Sequence, residues 1–290
     1  MTQSDFKFFS KVDQLEVHAF CWSPPGMPIA TVQIAHGLAE HAERYARFAK
    51  HLNDLGFIVY ANDHRGHGRS LLKGGGLGNV GEAAWGGLVA DVVQLRDVIA
   101  ERHAGIPHFI FGHSLGSFVV QQFLLDHSGS VDAAVLSGST DIAMVAQLVA
   151  ATGEAPSFDT YNAAFAPNRT DFDWLSRDEA EVDAYVADPM CGMDVDEALS
   201  VGMIEAAGQL GDPARLAGIR PDIPVLVLAG DADPLNGALA LLHSLVGKYH
   251  EAGLTRVDTQ FYADGRHEML NETNREDVER DISGWFMKLM

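Results

Sequence analysis

The sequence predicts an α/β fold, a mainly parallel central sheet with helices on both faces and a helical insertion late in the chain. Three observations carry it. From residue 29 onward, short apolar runs at 29–35, 57–61, 109–111, 131–136, 224–229 and 257–262 are separated by stretches of helical spacing, the pattern of βαβ units. The later runs are continuous rather than alternating, as in strands covered on both faces. The rhythm breaks once, between Thr140 and about Leu216, where no strand is read.

Residues 6–9 and 15–22 read as two strands around a turn at Asp13, ended by Pro24-Pro25-Gly26. The strand at 29–35 runs into His36-Gly37-Leu38-Ala39-Glu40-His41. A glycine there lets the backbone turn its N–H groups toward a ligand. A helix at 45–55 stops at Gly56, and the strand at 57–61 leads into Asp63-His64-Arg65-Gly66-His67-Gly68-Arg69-Ser70, a structural turn. His36, His41, His64 and His67 lack the spacing of a zinc site. Gly76-x-Gly78-x-x-Gly81 matches a dinucleotide fingerprint in letters only, because no strand precedes it. A helix at 87–102 places Leu88, Val92, Leu95, Val98 and Ile99 on one face, with Asp91, Arg96 and Asp97 off it.

Phe109-Ile110-Phe111 is a buried strand, and helical spacing resumes at Leu115. Between them lies Gly112-His113-Ser114-Leu115-Gly116, a G-x-S-x-G turn. Such a turn strains the serine, exposes its hydroxyl and sets the next N–H at a helix N-terminus, where a developing anion is stabilised. The strand at 131–136 ends in Ser137-Gly138-Ser139. Within 140–216, Ile142, Val145, Leu148 and Val149 form an apolar helical face, expected to line an acyl channel over the site. A second helix is read at 195–210. From Asp171 to Glu197, ten acids face one arginine, −9 of the total −20. An irregular helical insertion in a sheet protein is expected to be a lid. The core therefore covers 1–139 and 217–290, and the lid 140–216. The strand at 224–229 ends in Gly230-Asp231-Ala232-Asp233-Pro234, a helix covers 238–248, and the strand at 257–262 precedes Gly265-Arg266-His267-Glu268. A closing helix spans 271–290, with Val278, Ile282, Trp285, Phe286 and Leu289 inward.

The chain has 290 residues, 47% of them hydrophobic, enough for one large domain with an insertion. A net charge of −20 excludes a nucleic-acid partner and electrostatic docking on an anionic membrane. Two cysteines make no disulfide framework, the N-terminus has no apolar signal region, and no run is long enough to span a membrane. A cytoplasmic location is expected, with at most transient contact between the lid and lipid.

Ser114 needs a base, an orienting acid and an oxyanion hole. His267, in the loop after the last strand, is the base. Asp231 and Asp233 compete as the acid. The backbone N–H groups of Leu38 and Leu115 are the oxyanion donors. The order Ser, Asp, His is that of the α/β-hydrolase triad.

The segments HGLAEHAERY (36–45), ANDHRGHGRS (61–70), FGHSLGS (111–117), VLAGDADP (227–234) and GRHEMLNE (265–272) resemble the monoacylglycerol lipase and lysophospholipase branch of the α/β-hydrolases, within the serine aminopeptidase S33 type. The resemblance covers nearly all the chain outside the lid. It implies that Asp233 is the acid and that Leu38 and Leu115 form the oxyanion hole. It also implies that Glu40 and Arg44 line the pocket of a glycerol leaving group. Some members carry a polar residue three positions after the histidine, where this chain has Leu270. The implied activity is hydrolysis of small-molecule acyl esters of glycerol, with no cofactor or metal. A serine aminopeptidase and a non-catalytic receptor on the same fold are the alternatives.

Overall fold

A computed structural model describes residues 1–153 and 157–290. Eight strands form one sheet: β1 (Thr2–Phe9), β2 (Glu16–Ser23), β3 (Ala30–Ala35), β4 (Phe57–Asn62), β5 (His108–His113), β6 (Ala133–Ser137), β7 (Val225–Gly230) and β8 (Val257–Tyr262). Their order is β1-β2-β4-β3-β5-β6-β7-β8. The two pairings that involve β2 are antiparallel and the rest are parallel. Ten helices accompany them among the described residues: α1 (Ala46–Asp54), α2 (Ala84–Arg102), α3 (Leu115–His127), α4 (Ile142–Thr152), α5 (Phe158–Ala163), α6 (Glu179–Ala187), α7 (Glu197–Leu210), α8 (Pro213–Leu216), α9 (Ala240–Glu251) and α10 (Arg275–Met287). This is the expected α/β architecture.

Strand alternation divides the core into two layers. Phe109, Phe111, Val135 and Leu228 point to α1 and α10, where Phe286 stacks on Phe109 with ring centroids 4.6 Å apart. Ile110, Leu136 and Val227 point the other way, to α2, α3, α7 and α9. Strands covered on both faces must be apolar at every position, and that is why their runs are continuous in the sequence.

Three local expectations are corrected. Asp91 does not lie off the packed face of α2. It is buried and bound to Arg65, whose Nη2 approaches its Oδ2 at 2.9 Å. A buried guanidinium needs a carboxylate on the same interface, and the partner lies too far along the sequence to be read from periodicity. The last helix starts at Arg275 rather than 271, after a 3-10 turn at Met269–Asn271. The α4 residues Ile142, Val145, Leu148 and Val149 do not border the cavity at Ser114. Ile142 joins the main core, while Leu148 is 49% exposed. The N-terminus of α4 is instead tied down by Asp141, which accepts from Met144 N at 3.0 Å, Ser244 Oγ at 2.6 Å and Lys248 Nζ at 2.8 Å.

Candidate active site

The carboxyl ends of β3, β5, β7 and β8 bring the site together. At the end of β5, Ser114 has φ 50° and ψ −121°, a conformation non-glycine residues avoid. The turn is tight enough to require glycine on both sides. A Cβ on Gly116 would overlap the Ala35 carbonyl, and one on Gly112 would overlap the carbonyl of Gly116. The Ser114 hydroxyl makes no hydrogen bond to another described residue and faces a cavity of about 20 Å³, room for one water.

His267 lines the same cavity. Its Nδ1 lies 2.8 Å from Asp233 Oδ2, and both side chains are buried. Burial works against the imidazolium. The charge and hydrogen bond of Asp233 outweigh it, helped by Glu268 and Glu40, so His267 is raised above its ordinary value. Asp233 is fixed in turn by Leu235 N, which donates to its Oδ1 at 2.9 Å. Asp231 is not part of this arrangement. It is exposed and accepts from Asp264 N at 2.7 Å. The neighbouring His113, 4.8 Å from His267 between ring centroids, is pushed by burial down to about 4 and stays neutral.

The turn after β3 supplies the other wall. Leu38 lines the cavity, and neither its N–H nor that of Leu115 donates to a described protein acceptor. Glu40 also reaches the cavity. Arg44 does not. It lines a second cavity of about 20 Å³ that shares Glu40, His113 and Glu268 with the first and includes Leu270.

Arg44 is held between two carboxylates. Its Nη1 lies 2.5 Å from Glu40 Oε2, and its two Nη atoms donate to Glu268 Oε1 and Oε2 at 2.7 Å each. Burial of Glu268 raises its carboxyl pKa, but the Arg44 charge and fork reverse this and bring it down to about 2. Glu268 was missed by sequence reasoning. Its only signal was its place beside His267 in the GRHEMLNE segment.

The insertion roofs the cavity with Phe158, Trp174, Leu175 and Tyr185, aromatic residues that the sequence reading did not single out. The Trp174 ring lies 4.7 Å from that of His267 between centroids. Bonds to the His267 loop and to the β3 turn help hold this roof on the core. Glu268 N donates to Leu175 O at 2.7 Å, and Tyr185 Oη donates to Ala39 O at 2.8 Å.

Among the described residues, His41, Asp188 and Cys191 gather three possible metal-ligand atoms within 4.8 Å. His41 Nε2 already lies 2.9 Å from Asp188 Oδ2. Burial first, then the carboxylates of Glu40, Asp188 and Glu268, hold the Cys191 thiol well above its ordinary range despite Arg44, so it stays protonated. The set acts as a clamp between the β3 turn and the insertion.

Fold and site together describe a hydrolase whose serine sits on a strand-to-helix turn. Comparison with known proteins agrees. The family model described as serine aminopeptidase, S33, matches residues 26–274. A monoacylglycerol lipase of Mycolicibacterium smegmatis is 31% identical over 284 residues, covering 96% of this chain and 95% of that protein. The human monoglyceride lipase is 30% identical, covering 75% of this chain and 70% of its own. In structure, a thermostable carboxyl esterase from Bacillus coagulans superposes over 100% of this chain and 99% of its own, with a TM-score of 0.87 and 24% identity, a likeness of fold. The chain belongs to the serine aminopeptidase S33 family of α/β-hydrolases, among its monoacylglycerol lipase-like members. It is an enzyme of the serine hydrolase class, acting on carboxylic esters. Among the described residues, no helix is long and apolar enough to cross a membrane.

Proposed function

We propose that the enzyme hydrolyses monoacylglycerols through a Ser114–His267–Asp233 triad and an acyl-enzyme. The observation that carries this reading is the buried 2.8 Å contact between Asp233 and His267 beside the strained Ser114. Ser114 Oγ attacks the ester carbonyl, and His267 Nε2 takes its proton. Asp233 keeps the Nδ1–H tautomer and stabilises the imidazolium. The N–H groups of Leu38 and Leu115 hold the oxyanion. His267 then gives its proton to the leaving glycerol oxygen, and water releases the acid from Ser114 by the same steps in reverse order.

The leaving-group side favours a neutral polyol. Glu40 and Glu268 both bind Arg44, so its guanidinium is not free to hold an anionic headgroup. The aminopeptidase reading needs a free carboxylate for a substrate ammonium, and both carboxylates here are already bound to Arg44. The cavity of about 20 Å³ is too small for any acyl chain, so the 140–216 roof acts as a lid that moves on binding. The free Cys21 and Cys191 suit a reducing compartment, and on that ground we place the enzyme in the cytoplasm.

A fluorophosphonate probe tests the nucleophile. One adduct per chain on Ser114, with loss of ester hydrolysis in proportion, is expected. An adduct on another residue, or full activity after labelling, contradicts the reading.

A further inference from the structure

The turn at 36–40 is fixed by hydrogen bonds at almost every peptide. In the unit joining His36 to Gly37, the His36 carbonyl accepts from His64 Nε2 at 3.1 Å, and Gly37 N–H donates to Glu40 Oε1 at 2.5 Å. In the next unit, the Gly37 carbonyl accepts from His36 Nδ1 at 2.8 Å. Ala39, at φ 57°, has its carbonyl held by Tyr185 Oη at 2.8 Å and Gly192 N at 2.9 Å. Leu38 N–H is left with no protein acceptor among the described residues.

A trans peptide is planar, so its C=O and N–H point in opposite directions. Whatever holds the Gly37 carbonyl therefore aims the Leu38 N–H. That holder is the His36 ring, and its tautomer is forced. The backbone N–H of His64 donates to His36 Nε2 at 2.9 Å, so Nε2 carries no proton and Nδ1 does. A carbonyl can only accept, which gives the same assignment from the other side. Burial, then the neighbouring His64 and His67, keeps His36 well below its ordinary value, so the ring stays neutral.

We propose that His36 is a positioning residue that presets the oxyanion hole, its Nδ1–H holding the Gly37–Leu38 peptide with the Leu38 N–H turned into the cavity. The inference rests on reading Leu38 N–H as an oxyanion donor. A donor already aimed needs no reorganisation when charge develops. The rival role is space-filling in the histidine cluster, where the His36 ring lies 4.0 Å from His64 and 5.4 Å from His67 between centroids.

Two variants separate these roles. In His36→Asn the amide Nδ2–H takes the place of Nδ1–H and can still donate to Gly37. In His36→Gln the amide reaches the place of Nε2 and leaves Gly37 without its donor. Both remove the ring. The measurements are kcat and KM with a soluble ester, inhibition by an alkyl boronic acid that forms an anionic tetrahedral adduct on serine, and urea unfolding. Loss of one oxyanion donor lowers kcat by about 10²–10³-fold, so a misaimed one in His36→Gln should lower it by about 30–100-fold. KM should stay within about threefold, and boronate affinity should fall in parallel with kcat. His36→Asn should keep kcat within about threefold of wild type. Equal losses in the two folded variants, or a loss of kcat with boronate affinity unchanged, overturn the proposal. Failure of both to fold also overturns it, because the ring is then needed for the fold. If only His36→Gln fails to fold, His36→Asn decides alone: kcat within threefold supports the proposal, and a hundredfold loss overturns it. Ser114→Ala runs alongside, and turnover in that variant removes the underlying reading instead.

Discussion

Ser114 and Asp233 are separated by more than a hundred residues of chain, yet each is fixed in place, Ser114 by its strained backbone turn and Asp233 by hydrogen bonds. Asp233 gives Oδ1 to Leu235 N and Oδ2 to His267. Asp233→Asn should therefore lower kcat by about 10³–10⁴-fold, because the wrong tautomer of His267 would face Ser114. Asp231→Asn, at an exposed turn, should change it less than about threefold. The opposite ranking in steady-state kinetics would move the acid to Asp231. The raised His267 also sets a pH dependence. In the proposed triad only the neutral ring can take the Ser114 proton, so kcat/KM should fall as pH drops through the His267 pKa. That midpoint should lie above the ordinary 6.5. Asp233→Asn removes the main stabiliser of the imidazolium and should move the midpoint down. A wild-type midpoint at or below 6.5 would show that burial, not Asp233, dominates.

At the scale of elements, what could be read from the sequence was what neighbouring residues decide. The strand, the G-x-S-x-G turn and the start of α3 lie within one short stretch, and close packing dictates their glycines. The same holds for the Gly37 turn and the loop after β8. Long-range pairing could not be read. Asp91 looked like a solvent-facing acid because Arg65 is on another element, and Glu268 looked like one more acid because its partner Arg44 is on α1's approach. Within the insertion, periodicity singles out the apolar face of α4 without saying what covers it. The residues over Ser114 come from α5, a 3-10 turn at Asp173–Leu175 and α6. The choice of Asp233 over Asp231 came from family resemblance, since both stand at the same strand end. The Arg44 bridge makes its own prediction. Removing Glu268 takes away the two-bond fork and leaves buried Arg44 with Glu40 alone, so Glu268→Leu should destabilise by about 2 kcal/mol in urea unfolding. The sign with pH follows from the depressed carboxyl. Glu268 stabilises the fold above its ordinary 4.5, and that contribution is lost as pH falls toward about 2. In Glu268→Leu that part of the acid sensitivity should vanish, and an unchanged profile would mean the bridge contributes nothing.

The whole molecule carries −20 and closes its site under a roof joined to both the His267 loop and the β3 turn. Such a surface is suited to dispersed neutral substrates more than to anionic interfaces. Each buried CH₂ of an acyl chain contributes about 0.8 kcal/mol, so a site roofed by Phe158, Trp174, Leu175 and Tyr185 should favour longer chains over acetate. The most direct measurement compares kcat/KM on purified enzyme for three substrates, a dispersed long-chain monoacylglycerol, a triacylglycerol emulsion and an aminoacyl amide, with Ser114→Ala as the blank. The monoacylglycerol should be turned over fastest, and the blank should fall by at least about a thousandfold. Faster cleavage of the amide, or normal turnover by Ser114→Ala, would contradict the account.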